Sequence, residues 1–382
     1  MRRPKDDHQG VSRFEWNLTR QTIHTSRDWV GVFPIRHSRK GPWVVTSHKK
    51  LAVLSLKEEV DLQNLSAGSS AIAELRSRRP LIVQRPPRLF HVLSSSYNET
   101  VSRVRQGVIR SVRRNLMQDA ALLLSGGIDS TIIAALASSL GVRLRTFTFA
   151  LSHPPVAESG LSSDRICAEE VAAMFGHLHH TVEIGTDRLQ ANIPAAVYLA
   201  ETARGTIVDE LPAHIEMARF FKCHNIRYVL SGEGADDLFG AFPFALRYHR
   251  GRQLKAFLQK ELTQGLPDEL AVLQSVYSPW GVSLFYPYLS EELLRIGYNL
   301  PLRYRVDRKR LMKRVLRDAF ADFVPPHLLM RPKGVPRDCA QIRSVLELTF
   351  GNAPGRYRSI LSKMMRGHSQ WPEELLRILR KK

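Results

Sequence analysis

The residues best suited to chemistry gather in two glycine-rich segments, each placed directly after a short apolar run. Residues 121–124 lead into Ser125-Gly126-Gly127-Ile128-Asp129-Ser130, and a helical pattern begins at once beyond it. Glycines let the backbone come close to an anion. The N–H groups at a helix start, aided by the hydroxyls of Ser125 and Ser130, then form a phosphate site. It is not a Walker loop, because the lysine of GxxxxGK[ST] is missing. A glycine-rich strand-to-helix turn with no ligand is the plainer alternative; strand, full loop and helix in immediate succession favour phosphate binding. The second segment, Ser231-Gly232-Glu233-Gly234-Ala235-Asp236-Asp237-Leu238-Phe239-Gly240, follows the apolar residues 228–230.

Both loops need a frame, and the flanking pattern predicts one. Val101, Val104, Val108, Ile109 and Val112 recur at helical spacing within 97–117, with Asn98 as the expected cap. Apolar strands are expected at 121–124, 144–149, 179–183 and 228–230, separated by helices reaching to 140, over 163–175 and over 212–222. Strands alternating with helices across short joints predict an α/β fold, a parallel sheet with flanking helices. Beyond Gly240 the strand signal fades into helices, which predicts a helical C-terminal part over the ligand-binding edge. Near the N-terminus, runs rich in Val, Ile, Phe and Trp at 29–35, 43–46 and 51–54 predict a small β-rich domain. Residues 1–26 are polar and expected to be partly disordered, and the proline-rich stretch 80–87 reads as a linker.

Composition narrows the function. The 382 residues are 43% hydrophobic and 24% charged, an ordinary balance for a folded chain. Polar positions interrupt every apolar stretch short of membrane-spanning length, and residues 1–10 are charged, so no membrane segment and no signal peptide are expected and a cytoplasmic location is inferred. Cys167, Cys223 and Cys339 lie far apart, without metal-ligand or disulfide spacing, and read as reduced thiols. The net charge is +20. It is uneven: residues 1–120 carry 22 Lys/Arg against 10 Asp/Glu, residues 121–240 carry 8 against 14, and residues 241–382 carry 26 against 12. Basic flanks attract phosphate-rich or acidic partners. The arginines scatter through apparent helices such as 103–114, without interleaved aromatics there, and no RNA-binding motif is present, so a dedicated nucleic-acid role is the weaker reading.

Ser125–Ser130 resembles the pyrophosphate loop of the N-type ATP pyrophosphatases, and the segment 231–240 resembles the SGEGxDExFGG stretch of asparagine synthetases. Arg331-Pro332-Lys333 resembles that family's RxK stretch, and Lys313 with Arg317 its KxxLR segment, so the likeness covers roughly 97–340. The resemblance implies an adenine nucleotide α-hydrolase-like fold, ATP and Mg²⁺ as cofactors, and Asp129 and Asp236 as the metal-holding pair. Two carboxylates on neighbouring loops suit a magnesium ion that also binds phosphate oxygens. Lys313, Lys333 and Arg331 would neutralise the departing pyrophosphate, although each lysine taken singly reads as a solvated surface residue. Glu233 is placed to accept a proton from an attacking amine, or else to bind backbone N–H groups in its own tight turn. Nucleotide contacts are implied at Leu124, Ser125, Gly126, Gly127, Ser130, Phe149, Ser231 and Gly232. His177, His179 and His180 are expected to be structural.

Two departures qualify the resemblance. Asparagine synthetases start with a cysteine-nucleophile glutaminase, whereas residue 2 is Arg2 and no cysteine precedes Cys167, so glutamine hydrolysis by that route is not expected. Residues 27–34, 43–50 and 64–69 nonetheless resemble the last third of that domain, which implies a truncated remnant over 27–91 that serves as a scaffold or binds a protein partner. The synthetase domain is then expected at 92–345 and a basic helical tail at 346–382. Residues 281–290 align with the family's LEVRVPFLD segment, with Ser283, Phe285 and Ser290 replacing an acid, a base and an acid. That pattern argues against aspartate as the substrate. It favours relatives that form lactams, lasso peptides or other amides. The expected enzyme is an ATP-dependent ligase joining a carboxylate to ammonia or an amine; the alternative is an RNA-modifying enzyme that adenylates a base carbonyl.

Overall fold

The computed structural model describes residues 13–17, 22–26, 36–38, 45–46, 62–64, 70–74, 81–83, 96–117, 119–154, 163–240, 251–307, 311–331, 341–350 and 353–365. Seven short strands form the N-terminal part: β1 (Arg13–Asn17), β2 (Thr22–Ser26), β3 (Arg36–Ser38), β4 (Val45–Thr46), β5 (Leu62–Asn64), β6 (Ser70–Glu74) and β7 (Leu81–Val83). They pair antiparallel in two sheets, ordered β1-β2-β6-β7 and β4-β3-β5. The expected β-rich character is present. Two of the strands come from the polar segment 1–26, and β7 runs through the stretch that reads as a linker.

The second part is built on a five-stranded sheet of β8 (Ala121–Leu123), β9 (Arg145–Leu151), β10 (Leu178–Ile184), β11 (Tyr228–Leu230) and β12 (Ser283–Phe285). Every pairing is parallel and the order is β10-β9-β8-β11-β12. Ala121, Leu122, Val229 and Leu230 are all buried, as central strands covered on both faces must be. β12 is one strand more than the apolar runs predict. Its three residues follow a single-turn helix inside a helical region, too short to show a period of two.

Helix α1 (Tyr97–Asn115) buries Val104, Val108 and Val112 on one face, as their spacing requires. Its cap is Ser96 rather than Asn98. The Glu99 carboxylate accepts the Ser96 N–H at 2.8 Å while the Ser96 hydroxyl accepts the Glu99 N–H at 3.3 Å, a reciprocal capping box. Helix α2 (Ile128–Ser139) is apolar nearly all round and sits deep in the core. Helices α3 (Asp164–Met174), α4 (Thr186–Ala200) and α5 (Leu211–Cys223) continue the cover. After β11 come the short α6 (Ala235–Phe239), then α7 (Leu266–Tyr277), α8 (Glu291–Asn299) and α9 (Arg314–Ala319). Helices α10 (Ile342–Phe350) and α11 (Ala353–Met365) straddle the boundary expected at 345. Ile342, Val345, Leu346 and Tyr357 belong to the main buried cluster, and the Tyr357 hydroxyl donates to Asp209 at 2.9 Å, so this segment completes the core. Among the described residues no helix is long and apolar enough to cross a membrane.

Candidate active site

The sheet order fixes where a ligand can sit. From β8 the chain moves outward to β9 and β10, then returns to place β11 on the opposite side of β8. Such a reversal opens a crevice beyond the carboxyl ends of the two strands. Both glycine-rich loops leave the sheet there. Gly126 has φ +68°, and a Cβ on it would lie 2.4 Å from the Cys167 Cβ, so that position tolerates only glycine. Gly127 precedes α2 without any side-chain cap, which leaves the first-turn N–H groups directed outward. The two serine hydroxyls stitch the loop together: Ser125 Oγ accepts from Gly127 N, and Ser130 Oγ accepts from Ser125 N and donates to the Gly127 carbonyl, at 3.2–3.3 Å. Gly232 packs against the same helix start, where a Cβ would come within 3.0 Å of Asp129 Cβ and 3.1 Å of Ser130 N.

Asp129 and Asp236 face each other across this crevice with Lys313 between them. The ammonium lies 2.5 Å from Asp129 Oδ2 and 2.9 Å from Asp236 Oδ1, and the lysine is buried. Burial alone would push the Lys313 pKa down; the two carboxylates and their hydrogen bonds outweigh it and hold the group above its ordinary value. The converging carboxylates fit a magnesium ion carried in on a nucleotide, because such an ion takes one or two protein carboxylates and fills its shell with phosphate and water oxygens. Among the described residues there is no cluster of three or more His, Cys, Asp or Glu that would make an all-protein cage.

Arg331 is buried and braces the loop: one nitrogen donates to the Ser125 carbonyl and another to Asp164 Oδ1, both at 2.9 Å. The Tyr288 hydroxyl donates to the Asp129 carbonyl at 2.9 Å. Buried Arg305 donates to the carbonyls of Asp237, Leu238 and Gly240 and so closes the C-terminal end of α6 behind Asp236. None of Asp164, Tyr288 and Arg305 announces itself in the sequence, since each acts by touching a loop far away along the chain.

A cavity of about 260 Å³ joins these parts and is lined by Leu124, Phe149, Ser231, Glu233, Lys313 and Arg331 among others. Every expected site residue among the described ones lines it except Gly126, which is buried against Cys167. Lys333 falls outside the described residues. The lining also includes Phe149, His214 and Met217 and the acidic residues Glu210, Glu233 and Glu269. The His214 Nδ1 is 2.8 Å from the Tyr277 hydroxyl, and burial lowers its pKa to about 4, so the imidazole is neutral at neutral pH. His177 and His179 are structural: His177 bridges Ala134 and Leu144, and His179 bonds Thr146. Of residues 281–290 only Leu284 reaches the cavity. Ser290 caps α8 by accepting the Leu293 N–H, a task shared by Asp and Ser. The exchange at 290 thus keeps a capping oxygen, and Ser283 and Phe285 do not line the cavity.

Comparison with known proteins identifies a family and relatives. The family described as asparagine synthase matches residues 103–279 and 248–341. Asparagine synthetase [glutamine-hydrolyzing] 2 of Oryza sativa subsp. japonica is 30% identical over 267 residues, covering 63% of this chain and 42% of that protein. Asparagine synthetase B [glutamine-hydrolyzing] of Escherichia coli (strain K12) is 25% identical over 355 residues, covering 86% of this chain and 60% of its own length. The chain thus spans about two-fifths to three-fifths of these relatives. Among solved structures, NMN synthetase from Francisella tularensis aligns with 73% of this chain and 98% of its own at 13% identity and a TM-score of 0.34. With its family match running over more than half of its length and centred on both glycine-rich loops, the chain belongs to the asparagine synthase family.

Proposed function

We propose that this chain is an ATP-dependent, AMP- and pyrophosphate-forming amide synthetase that activates a carboxylate as an acyl-adenylate and passes the acyl group to ammonia or a substrate amine. The observation that carries the reading is one cavity at the strand-order reversal that combines the uncapped start of α2, the Asp129–Asp236 pair and Glu233. In the first step a carboxylate oxygen attacks the α-phosphorus and the bond to the bridging oxygen of the β-phosphate breaks, releasing pyrophosphate. The N–H groups of the phosphate loop receive the phosphate oxygens, and Arg331 keeps that loop in shape through the Ser125 carbonyl. Asp129 and Asp236 would hold magnesium, which when bound neutralises phosphate charge. In the second step the amine nitrogen attacks the acyl carbon, its proton passes to Glu233, and AMP leaves with the electrons of the acyl–oxygen bond. The adenine is received between Leu124, Phe149 and the Ser231-Gly232 backbone.

Within these 382 residues the first cysteine is Cys167, buried behind Gly126, so the reading takes nitrogen from ammonia or an amine and not from glutamine hydrolysis by this chain. The test is product analysis with ATP, magnesium and a panel of carboxylates with and without ammonia. AMP and pyrophosphate in equal amounts are expected, with no glutamate formed from glutamine. ADP and inorganic phosphate as products would overturn the reading.

A further inference from the structure

Three cations line the cavity, Lys313, Arg317 and Arg331, and all three are at least nine-tenths buried. Two of them have carboxylate partners within hydrogen-bond distance: Lys313 has Asp129 and Asp236, and Arg331 has Asp164. Arg317 differs. Its Nε donates to the Met312 carbonyl at 2.8 Å, but its buried Nη1 has no hydrogen-bond partner among the described residues. Asp129, Asp307 and Asp236 attract it electrostatically, yet no described hydrogen bond joins them to it. A buried guanidinium donor without an acceptor is costly to the fold, and a cavity wall is where such a donor is reserved for a ligand. The family resemblance points to Lys313, Lys333 and Arg331 for charge neutralisation; the geometry singles out Arg317.

We infer that Arg317 binds the leaving pyrophosphate, donating from Nη1 to a phosphate oxygen beside the Asp129–Lys313–Asp236 group. The inference rests on the adenylation reading above. A phosphate is favoured over the carboxylate of the acyl substrate because Arg317 is attracted by Asp129 and Asp236, the pair that brackets Lys313 at the start of the phosphate-loop helix.

Titration calorimetry with inorganic pyrophosphate and magnesium tests it on the full chain, using wild type, Arg317→Met and Arg317→Lys, with ligand-free melting temperatures alongside. Arg317→Met should bind pyrophosphate roughly tenfold to a hundredfold more weakly, the scale of a hydrogen bond to a charged group. Without ligand it should stay folded with only a slightly lowered melting temperature, because the Met312 carbonyl loses the Nε donor while Nη1 had no acceptor to lose. Arg317→Lys should recover only part of the affinity, since an ammonium cannot reproduce the fork. Pyrophosphate affinity within about twofold of wild type in Arg317→Met, or its unfolding without ligand, overturns the assignment. So does a rise in the KM for the carboxylate with pyrophosphate binding intact, which would make the carboxylate the anion. A wild-type chain that binds no pyrophosphate and forms no AMP instead sinks the adenylation reading itself, so the two failures are separable.

Discussion

Lys313→Met is expected to destabilise the ligand-free chain by about 3 kcal/mol, the low end of what breaking a buried ion pair costs. The lysine side chain is only 3% exposed, and its ammonium sits at 2.5 and 2.9 Å from two carboxylates that are themselves 17% and 28% exposed. At an effective dielectric near 20, each contact supplies on the order of 6 kcal/mol of attraction, offset by several kcal/mol for desolvating the ammonium. Partial exposure of the carboxylates lets water screen what the substitution leaves behind, which is why the low end applies. Methionine is the informative replacement. Lys313 has φ +60°, and methionine keeps the same left-handed strain and nearly the same length, so the difference reports the charge contact alone. Urea denaturation at pH 7 without nucleotide or divalent metal measures it. Adding Asp129→Asn to Lys313→Met should return part of the loss, because the two orphaned carboxylates would no longer repel one another. The pH dependence follows from the sign of the shift. The folded pKa lies above the ordinary value near 10.5, so the lysine's contribution is fully present below that value and fades as pH rises through the folded one. The difference between wild type and Lys313→Met should therefore be flat from pH 7 to about 10. A loss under about 0.5 kcal/mol would show that the three groups do not form a working ion triad.

Two further outcomes are expected. Gly126→Ala should cost about 2–5 kcal/mol in the same assay, from left-handed strain and a clash with Cys167, and Cys167→Ala should not rescue it because the Cys167 carbonyl carbon is also only 2.6 Å from the new methyl. His214, held near pKa 4 against an ordinary 6.5, stays neutral while the unfolded chain takes up a proton, so stability should fall as pH drops from about 6.5 to 4; His214→Asn should flatten that fall by about 2–3 kcal/mol, and an unchanged urea midpoint profile would refute the burial argument.

The parts of this molecule that were legible in the sequence are those where one local rule acts alone. The phosphate loop is read from Ser125 to Ser130 because strand, glycine turn and helix start are consecutive, and the central strands β8 and β11 are read because both-face burial demands apolar runs. The cap of α1 was misplaced by two residues since Ser96 and Asn98 are both good caps, and only the reciprocal Glu99 contact decides between them. β12 was missed because three residues cannot display a period.

The functional pairings illustrate a different limit. Lys313 was legible as a cation near phosphate, but its seat between Asp129 and Asp236 depends on a contact spanning 184 positions, and no spacing rule encodes it. At Ser290 the change from acid to hydroxyl keeps an oxygen that can cap α8, so letters alone do not separate a structural exchange from a change in substrate chemistry. The same reasoning explains why Arg317 carries more weight than the more conspicuous Arg331. Arg331 sits in a recognisable motif but is committed to Ser125 and Asp164, so its removal should disturb the loop before it touches the ligand. Arg317 keeps a buried donor without a described partner, and a donor held in reserve at a cavity wall is the feature that distinguishes binding a ligand from supporting the residues that do.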